Sequence, residues 1–148
     1  MEFFVELQTP TVEHEVKAKD ASGHSSSIIV AFKRYERKEA QEKMEETSAF
    51  LTDNNTEGYK NFIAEQIVYY KKVTLMMKKP NGELYAIKVA DSREISEKHD
   101  LYDPEVPLTE RLTEKFLNST PWWLAIATAC QYVLANMDVE GESAKAKN

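Results

Sequence analysis

The sequence predicts an α+β fold, in which an N-terminal β-hairpin is followed by a mainly helical domain with a buried C-terminal helix. Three observations lead to this class. Apolar and polar residues alternate before residue 35, with the period of half-buried strands. Residues 36–51 are rich in helix formers and contain no Gly or Pro. Residues 121–137 stay apolar almost all the way round a helix, as expected for a core helix.

The N-terminal strands come first along the chain. Residues 12–18 alternate Val, His, Val and Ala with charged side chains, which predicts one strand. Residues 20–27 are a Gly, Ser and Asp turn region, and residues 28–35 begin with β-branched side chains typical of a second strand. The segment FFVEL, residues 3–7, is a candidate third strand.

The middle of the chain alternates helical and strand-like patterns. Residues 36–51 predict a mostly exposed helix, since their apolar stripe is thin. Residues 59–72 carry apolar side chains at the spacings i, i+3, i+4, i+7 and i+8, which predicts an amphipathic helix. Residues 73–90 read as a second hairpin around a Pro-Asn-Gly turn, and the alternative is that the helix continues to Lys79.

The C-terminal part reads as two helices and a tail. Residues 109–117 predict a short helix, and a longer apolar helix follows with Pro121 at its first turn. After Val139 the chain has no large apolar side chain, so we expect residues 139–148 to be disordered. The predicted organisation is a single domain over residues 1–138, which consists of a hairpin region at 1–35 and a mainly helical part at 36–138.

Composition excludes several classes of function. The net charge of −6 argues against nonspecific nucleic-acid binding, which depends on Lys and Arg contacts to phosphates. The single cysteine cannot form an intramolecular disulfide, and the acidic N-terminus lacks a signal-peptide pattern, so we expect a cytoplasmic protein. A helix over residues 121–137 would be about 25 Å long, too short for a hydrocarbon core of about 30 Å. We therefore predict no membrane span.

Candidate catalytic residues are scattered. His14, His24 and His99 fall in different predicted elements, and none has the partner spacing of a metal motif. Cys130 lies in an apolar helix, where a buried structural thiol is expected. The sequence therefore predicts no catalytic residue, no metal site and no cofactor, and the protein is expected not to be an enzyme.

Charge is distributed unevenly along the chain. Between residues 60 and 79 there are five basic residues and one acid, and between residues 91 and 114 there are eight acids and three bases. These segments, of net charge +4 and −5, either neutralise each other within the fold or meet between neighbouring copies in a head-to-tail contact. The second possibility predicts a homo-oligomer, with self-association through Lys71, Lys72, Lys78, Lys79, Glu97, Asp100 and Asp103.

The last helix carries two apolar stripes, and both tryptophans lie at its start. We predict that Trp123 and Ile126 face the core. A second stripe is expected to face outward and bind a partner, either another copy or an amphipathic helix. It consists of Trp122, Ala125, Ala129 and Tyr132.

The order of segments resembles the tail assembly chaperones of long-tailed bacteriophages. A predicted hairpin ends in AFKRYERKEAQEKM, and FIAEQIVYYKKV, NGELYAIKVADSREI and LTERLTEKFLNSTPWWLAIATA follow in that order. The similarity covers residues 12–137 and consists of segment patterns rather than invariant catalytic residues. Residues 73–90 depart from it, because they are more strand-like than the family pattern.

The resemblance implies a role in building the phage tail. Such chaperones bind the long helical tape-measure protein and keep it soluble until tail-tube subunits polymerise around it. They act in the host cytoplasm and are usually absent from the mature virion. Many are made in two lengths by a programmed ribosomal frameshift. The partners it implies are the tape-measure protein and tail-tube subunits.

Two other functions remain open at the level of sequence. Type III secretion chaperones are also small, acidic cytoplasmic α+β proteins that hold an unfolded client. A phage neck or tail-completion protein would instead stay in the virion as a structural component.

Overall fold

The computed structural model describes residues 10–19, 22–93 and 108–147. Within these ranges the chain forms an α+β fold of four strands and four helices. In chain order they are β1 (Thr11–Lys19), β2 (Ser25–Lys33), α1 (Arg37–Thr52), α2 (Thr56–Gln66), β3 (Ile67–Lys78), β4 (Leu84–Asp91), α3 (Leu108–Leu117) and α4 (Thr120–Lys147).

The four strands form one antiparallel sheet in the order β1-β2-β3-β4. β1 and β2 make the N-terminal hairpin that the alternating pattern predicts, with Val16 opposite Ile28 and His14 opposite Val30. Their turn includes Gly23 at φ +84°, an angle that glycine adopts without steric cost. The candidate strand at residues 3–7 lies outside the described residues.

The helix predicted over residues 59–72 is wrong at its C-terminal end. α2 stops at Gln66, and the following Ile-Val-Tyr-Tyr run begins β3. The N–H of Tyr70 donates to Ser92 Oγ at 2.8 Å, and the N–H of Ser92 donates to the Tyr70 carbonyl at 2.9 Å. Pairing of these β-branched and aromatic residues outweighs their helical spacing. Residues 67–91 therefore form a hairpin, and no helix continues to Lys79.

The helices cover one face of the sheet. Strands and helices contribute to one core, whose members include Val16, Val30, Phe32, Tyr70, Val73, Leu112, Phe116, Ile126 and Val133. α4 packs against β1 and against α1, where the Gln131 amide donates to the Thr47 hydroxyl at 3.0 Å. The other face of the sheet carries charged side chains, which include Glu13 and Lys71.

α4 is longer than the sequence predicts. It continues to Lys147, where a disordered tail was expected over residues 139–148. The Glu, Ala and Lys residues of this segment have high helix propensity, so they extend an already formed helix. Asn148 lies outside the described residues.

Candidate partner-binding groove

An apolar groove of about 490 Å³ runs between the edge strand β1 and the exposed side of α4. It is lined by His14, Glu15, Val16, Lys17, Leu124, Ala125, Thr128, Ala129 and Tyr132. The alternation of β1 directs His14 and Val16 toward the helix layer, and α4 supplies the opposite wall. The groove therefore combines one sheet edge with one helix face.

The helix wall of the groove exposes two large apolar side chains. Leu124 and Tyr132 are each 56% exposed, and Thr128 lies between them at helical spacing. The Tyr132 ring packs against the His14 ring at a centroid distance of 5.2 Å. Isolated exposed apolar side chains are common, but two that line the same concave surface mark a candidate interface.

Three of the four predicted partner residues meet in this groove. Ala125, Ala129 and Tyr132 line it, although Ala129 is buried against β1. The small side chains let α4 approach the strand closely, which leaves Tyr132 as the exposed member of the predicted stripe. Sequence reasoning missed Leu124 and His14. The spacing of Leu124 and Tyr132, eight residues apart on one helix face, was the available signal.

The prediction for the two tryptophans is wrong. Trp122 is 5% exposed and packs against Phe116 of α3 at a ring distance of 5.2 Å, so it belongs to the core. Trp123 is only partly buried; its ring meets Tyr59 edge-on at 5.4 Å, and Lys60 Nζ lies 5.4 Å from the same ring. The orientation of α3 relative to α4 determines which tryptophan is covered. Helical spacing alone does not contain that information.

A cluster of charged and aromatic side chains occupies the other face of the sheet. Lys71 Nζ donates to Glu13 Oε1 at 2.7 Å, and the Tyr69 hydroxyl donates to the same oxygen at 3.2 Å. The Arg93 guanidinium lies 4.1 Å from the Tyr69 ring centre and donates to both Asp91 oxygens. The two ion pairs are accessible to solvent around the buried Tyr69 ring, and they join β1, β3 and the residues after β4, so they are typical of a solvated sheet surface.

The cluster shifts two carboxyl pKa values. The hydrogen bonds from Arg93 lower the pKa of Asp91 to about 2. The hydrogen bond from Lys71 lowers the pKa of Glu13. Both carboxylates are consequently ionised at neutral pH and serve as acceptors rather than as proton donors.

The predicted self-association residues are only partly described. Lys71 already pairs with Glu13 in the same chain. Lys72, Lys78 and Lys79 are exposed on the β3–β4 hairpin, and Lys72 adopts a φ of 51° within β3. The acidic members of the predicted contact, Glu97, Asp100 and Asp103, lie outside the described residues.

The described histidines and the cysteine lie apart from one another. His14 packs on Tyr132, and His24 Nδ1 lies 2.9 Å from the Ser22 hydroxyl oxygen. Burial raises the pKa of the Cys130 thiol to about 12, which keeps it protonated and weakly nucleophilic at neutral pH. His99 lies outside the described residues. Over residues 10–19, 22–93 and 108–147, no group of three His, Cys, Asp or Glu side chains could hold a metal ion.

Within the described ranges, no helix has both the length and the apolar character needed to cross a bilayer. No family model, no curated protein and no solved structure matches this chain.

Proposed function

We propose that this protein is a non-enzymatic tail assembly chaperone of a long-tailed bacteriophage. In this proposal it binds helical segments of the tape-measure protein in the host cytoplasm and keeps them soluble. It releases them as tail-tube subunits assemble around the client, and it does not remain in the mature virion.

The observation that supports this function is the groove between β1 and α4. An amphipathic helix can lay its apolar side into such a groove and cover Leu124 and Tyr132. The site needs no cofactor, because binding alone keeps an apolar client from aggregating.

The client groove can be tested with two substitutions in its helix wall and one matched control. Leu124→Asp and Tyr132→Ala should each reduce capture of co-expressed tape-measure fragments by about tenfold or more, since a buried interface residue is often worth about 2 kcal/mol. Leu51→Asp is the control, because Leu51 is a similarly exposed leucine on α1, away from the groove. Equal capture by the Leu124→Asp and Leu51→Asp proteins would contradict the proposal.

Self-association is part of the same proposal. Lys71, Lys72, Lys78 and Lys79 of one copy would contact the acidic segment of the next, which contains Glu97, Asp100 and Asp103. A head-to-tail contact of this kind builds rings or spirals along an extended client. Because Lys71 pairs with Glu13 in its own chain, the other three lysines are the stronger candidates.

A second candidate function is supported by the sheet. A four-stranded antiparallel sheet with helices on one face suits a type III secretion chaperone. This sheet has more strands than the phage resemblance implies, because that resemblance predicts a less strand-like segment over residues 73–90. Capture of a tape-measure fragment supports the first function, whereas capture of a secreted effector supports the second. Detection of the protein in purified virions by mass spectrometry would instead indicate a structural neck or tail-completion role.

A further inference from the structure

On the outer edge of β1, the backbone groups of Glu13, Glu15 and Lys17 pair with no strand among the described residues. The Arg34 N–H donates to the Pro10 carbonyl at 2.9 Å, so Pro10 and Arg34 form a hydrogen-bonded pair of the β1–β2 ladder. Hydrogen-bonded and non-hydrogen-bonded pairs alternate from there along the two strands. In an antiparallel pair every second residue bonds its neighbour strand. The N–H and C=O groups of Glu13, Glu15 and Lys17 therefore point away from β2, and such an edge can template another strand.

The charges along this edge are self-complementary. Glu13, Glu15, Lys17 and Lys19 are exposed on one side of β1. If a second copy pairs antiparallel about a two-fold axis at Val16, each Glu15 lies opposite a Lys17 and each Glu13 lies opposite a Lys19. If one β1 strand shifts by two residues relative to the other, Glu15 lies opposite Glu15 for one direction of the shift and Lys17 lies opposite Lys17 for the other direction. The charge order thus favours one register.

The helix side of this junction is apolar. Val16 of one copy would meet Val16 of the other, and His14 would lie opposite Ala18. A two-fold axis perpendicular to the sheet keeps both helix layers on the same face. The exposed residues Leu124 and Tyr132 of each α4 then flank the junction between the two β1 strands. The groove of one copy therefore lies on one side of this junction, and the groove of the other copy lies on the opposite side.

We infer that two copies of this chain associate through their β1 strands, with Val16 at the two-fold axis, to form one continuous eight-stranded antiparallel sheet. The partner is a second copy because the charge order of β1 complements itself. Within one strand, Lys17 Nζ lies 3.3 Å from Glu15 Oε1. In the dimer, two equivalent ion pairs between Glu15 of one copy and Lys17 of the other replace this contact. The contact is isologous and differs from the head-to-tail contact of the basic and acidic segments.

Charge reversal at two exposed positions tests the register. Glu15→Lys and Lys17→Glu each place two like-charged pairs across the junction. Each should raise the dimer dissociation constant about tenfold in sedimentation equilibrium, because two attractive cross-strand charge pairs become repulsive. The double variant Glu15→Lys/Lys17→Glu restores both pairs and should dimerise like the wild type. An equimolar mixture of the two single variants should form the heterodimer, which native mass spectrometry detects by mass when one of the two variants carries a uniform ¹⁵N label.

The controls separate edge pairing from other associations. Glu42→Lys makes the same charge change on the exposed side of α1 and should leave dimerisation unchanged. Amide hydrogen exchange should slow at Glu13, Glu15 and Lys17 as the concentration rises, and Glu15→Lys should abolish that protection. A wild-type protein that stays monomeric at millimolar concentration would overturn the inference, as would a dimer that both single variants leave intact. These measurements involve no client, so their outcome is independent of the tape-measure proposal.

Discussion

The two adjacent tryptophans of α4 have different surroundings, so their replacement should have different costs. Trp122 is buried against Phe116, and Trp122→Ala should lower the free energy of unfolding by about 3–5 kcal/mol through the cavity it leaves. Trp123 is partly exposed beside Tyr59 and Lys60, and Trp123→Ala should cost about 1–3 kcal/mol. Urea unfolding of both variants measures the difference. Equal losses would mean that both rings are covered.

Asp91 makes a pH-dependent contribution to stability. Its pKa in the folded protein is lowered to about 2 from the ordinary 3.8, because Arg93 donates hydrogen bonds to the ionised carboxylate. The unfolded chain therefore binds a proton more readily, so the stabilisation is complete above about pH 4 and is lost as the pH falls toward 2. The difference in melting temperature between the wild type and Asp91→Asn should shrink over this interval. Glu42→Gln serves as the control for removing one exposed carboxylate.

At the scale of elements, the start of α2 depends on a glycine within the helix. The Gly58 N–H donates to the Asn55 side chain, which caps the helix, at 3.0 Å. A Cβ at residue 58 would lie 2.4 Å from Asn55 Nδ2 and 2.8 Å from a ring carbon of Phe50. Glycine to alanine normally stabilises a helix by about 1 kcal/mol, but this overlap should reverse the sign.

We expect Gly58→Ala to lower the free energy of unfolding by about 1–3 kcal/mol, the usual cost of overpacking. Chemical denaturation gives this value directly. Asn61→Ala, at an exposed position of the same helix, should change stability by no more than about 0.5 kcal/mol. A more stable Gly58→Ala protein would show that Asn55 and Phe50 move aside without loss.

At the scale of the whole molecule, the uneven charge distribution predicts salt-sensitive assembly. Oligomers held by the basic hairpin and the acidic segment should dissociate as salt rises, because exposed charges are screened within about 8 Å at physiological ionic strength. Lys72→Glu/Lys78→Glu should weaken assembly, and Glu97→Arg/Asp100→Arg in the same chain should partly restore it. Sedimentation velocity in the Glu15→Lys background isolates this contact from edge pairing. If this protein stays monomeric at low salt and high concentration, the proposed contact between the basic hairpin and the acidic segment is refuted.

Local sequence patterns determined the N-terminal hairpin and most of the helix boundaries. Alternation around Val16 and Ile28 predicts β1 and β2, and the turn residues Asp53, Asn54 and Asn55 separate α1 from α2, because turn residues act locally. Helical spacing also predicted Ala125, Ala129 and Tyr132 as members of a candidate interface. Alternation, turn residues and helical spacing each depend on a few neighbouring residues, so they can be recognised in the sequence without knowledge of the packing.

Only the tertiary structure decided the elements whose local pattern fits two conformations. Residues 67–72 have helical spacing, yet they form β3 because β2 and Ser92 offer backbone partners. α4 is apolar on several sides, and the position of α3 determines that Trp122 is buried while Trp123 is not. The groove likewise exists because β1 and α4, more than one hundred residues apart, pack side by side. Contacts between distant segments set these outcomes, and local periodicity does not encode them.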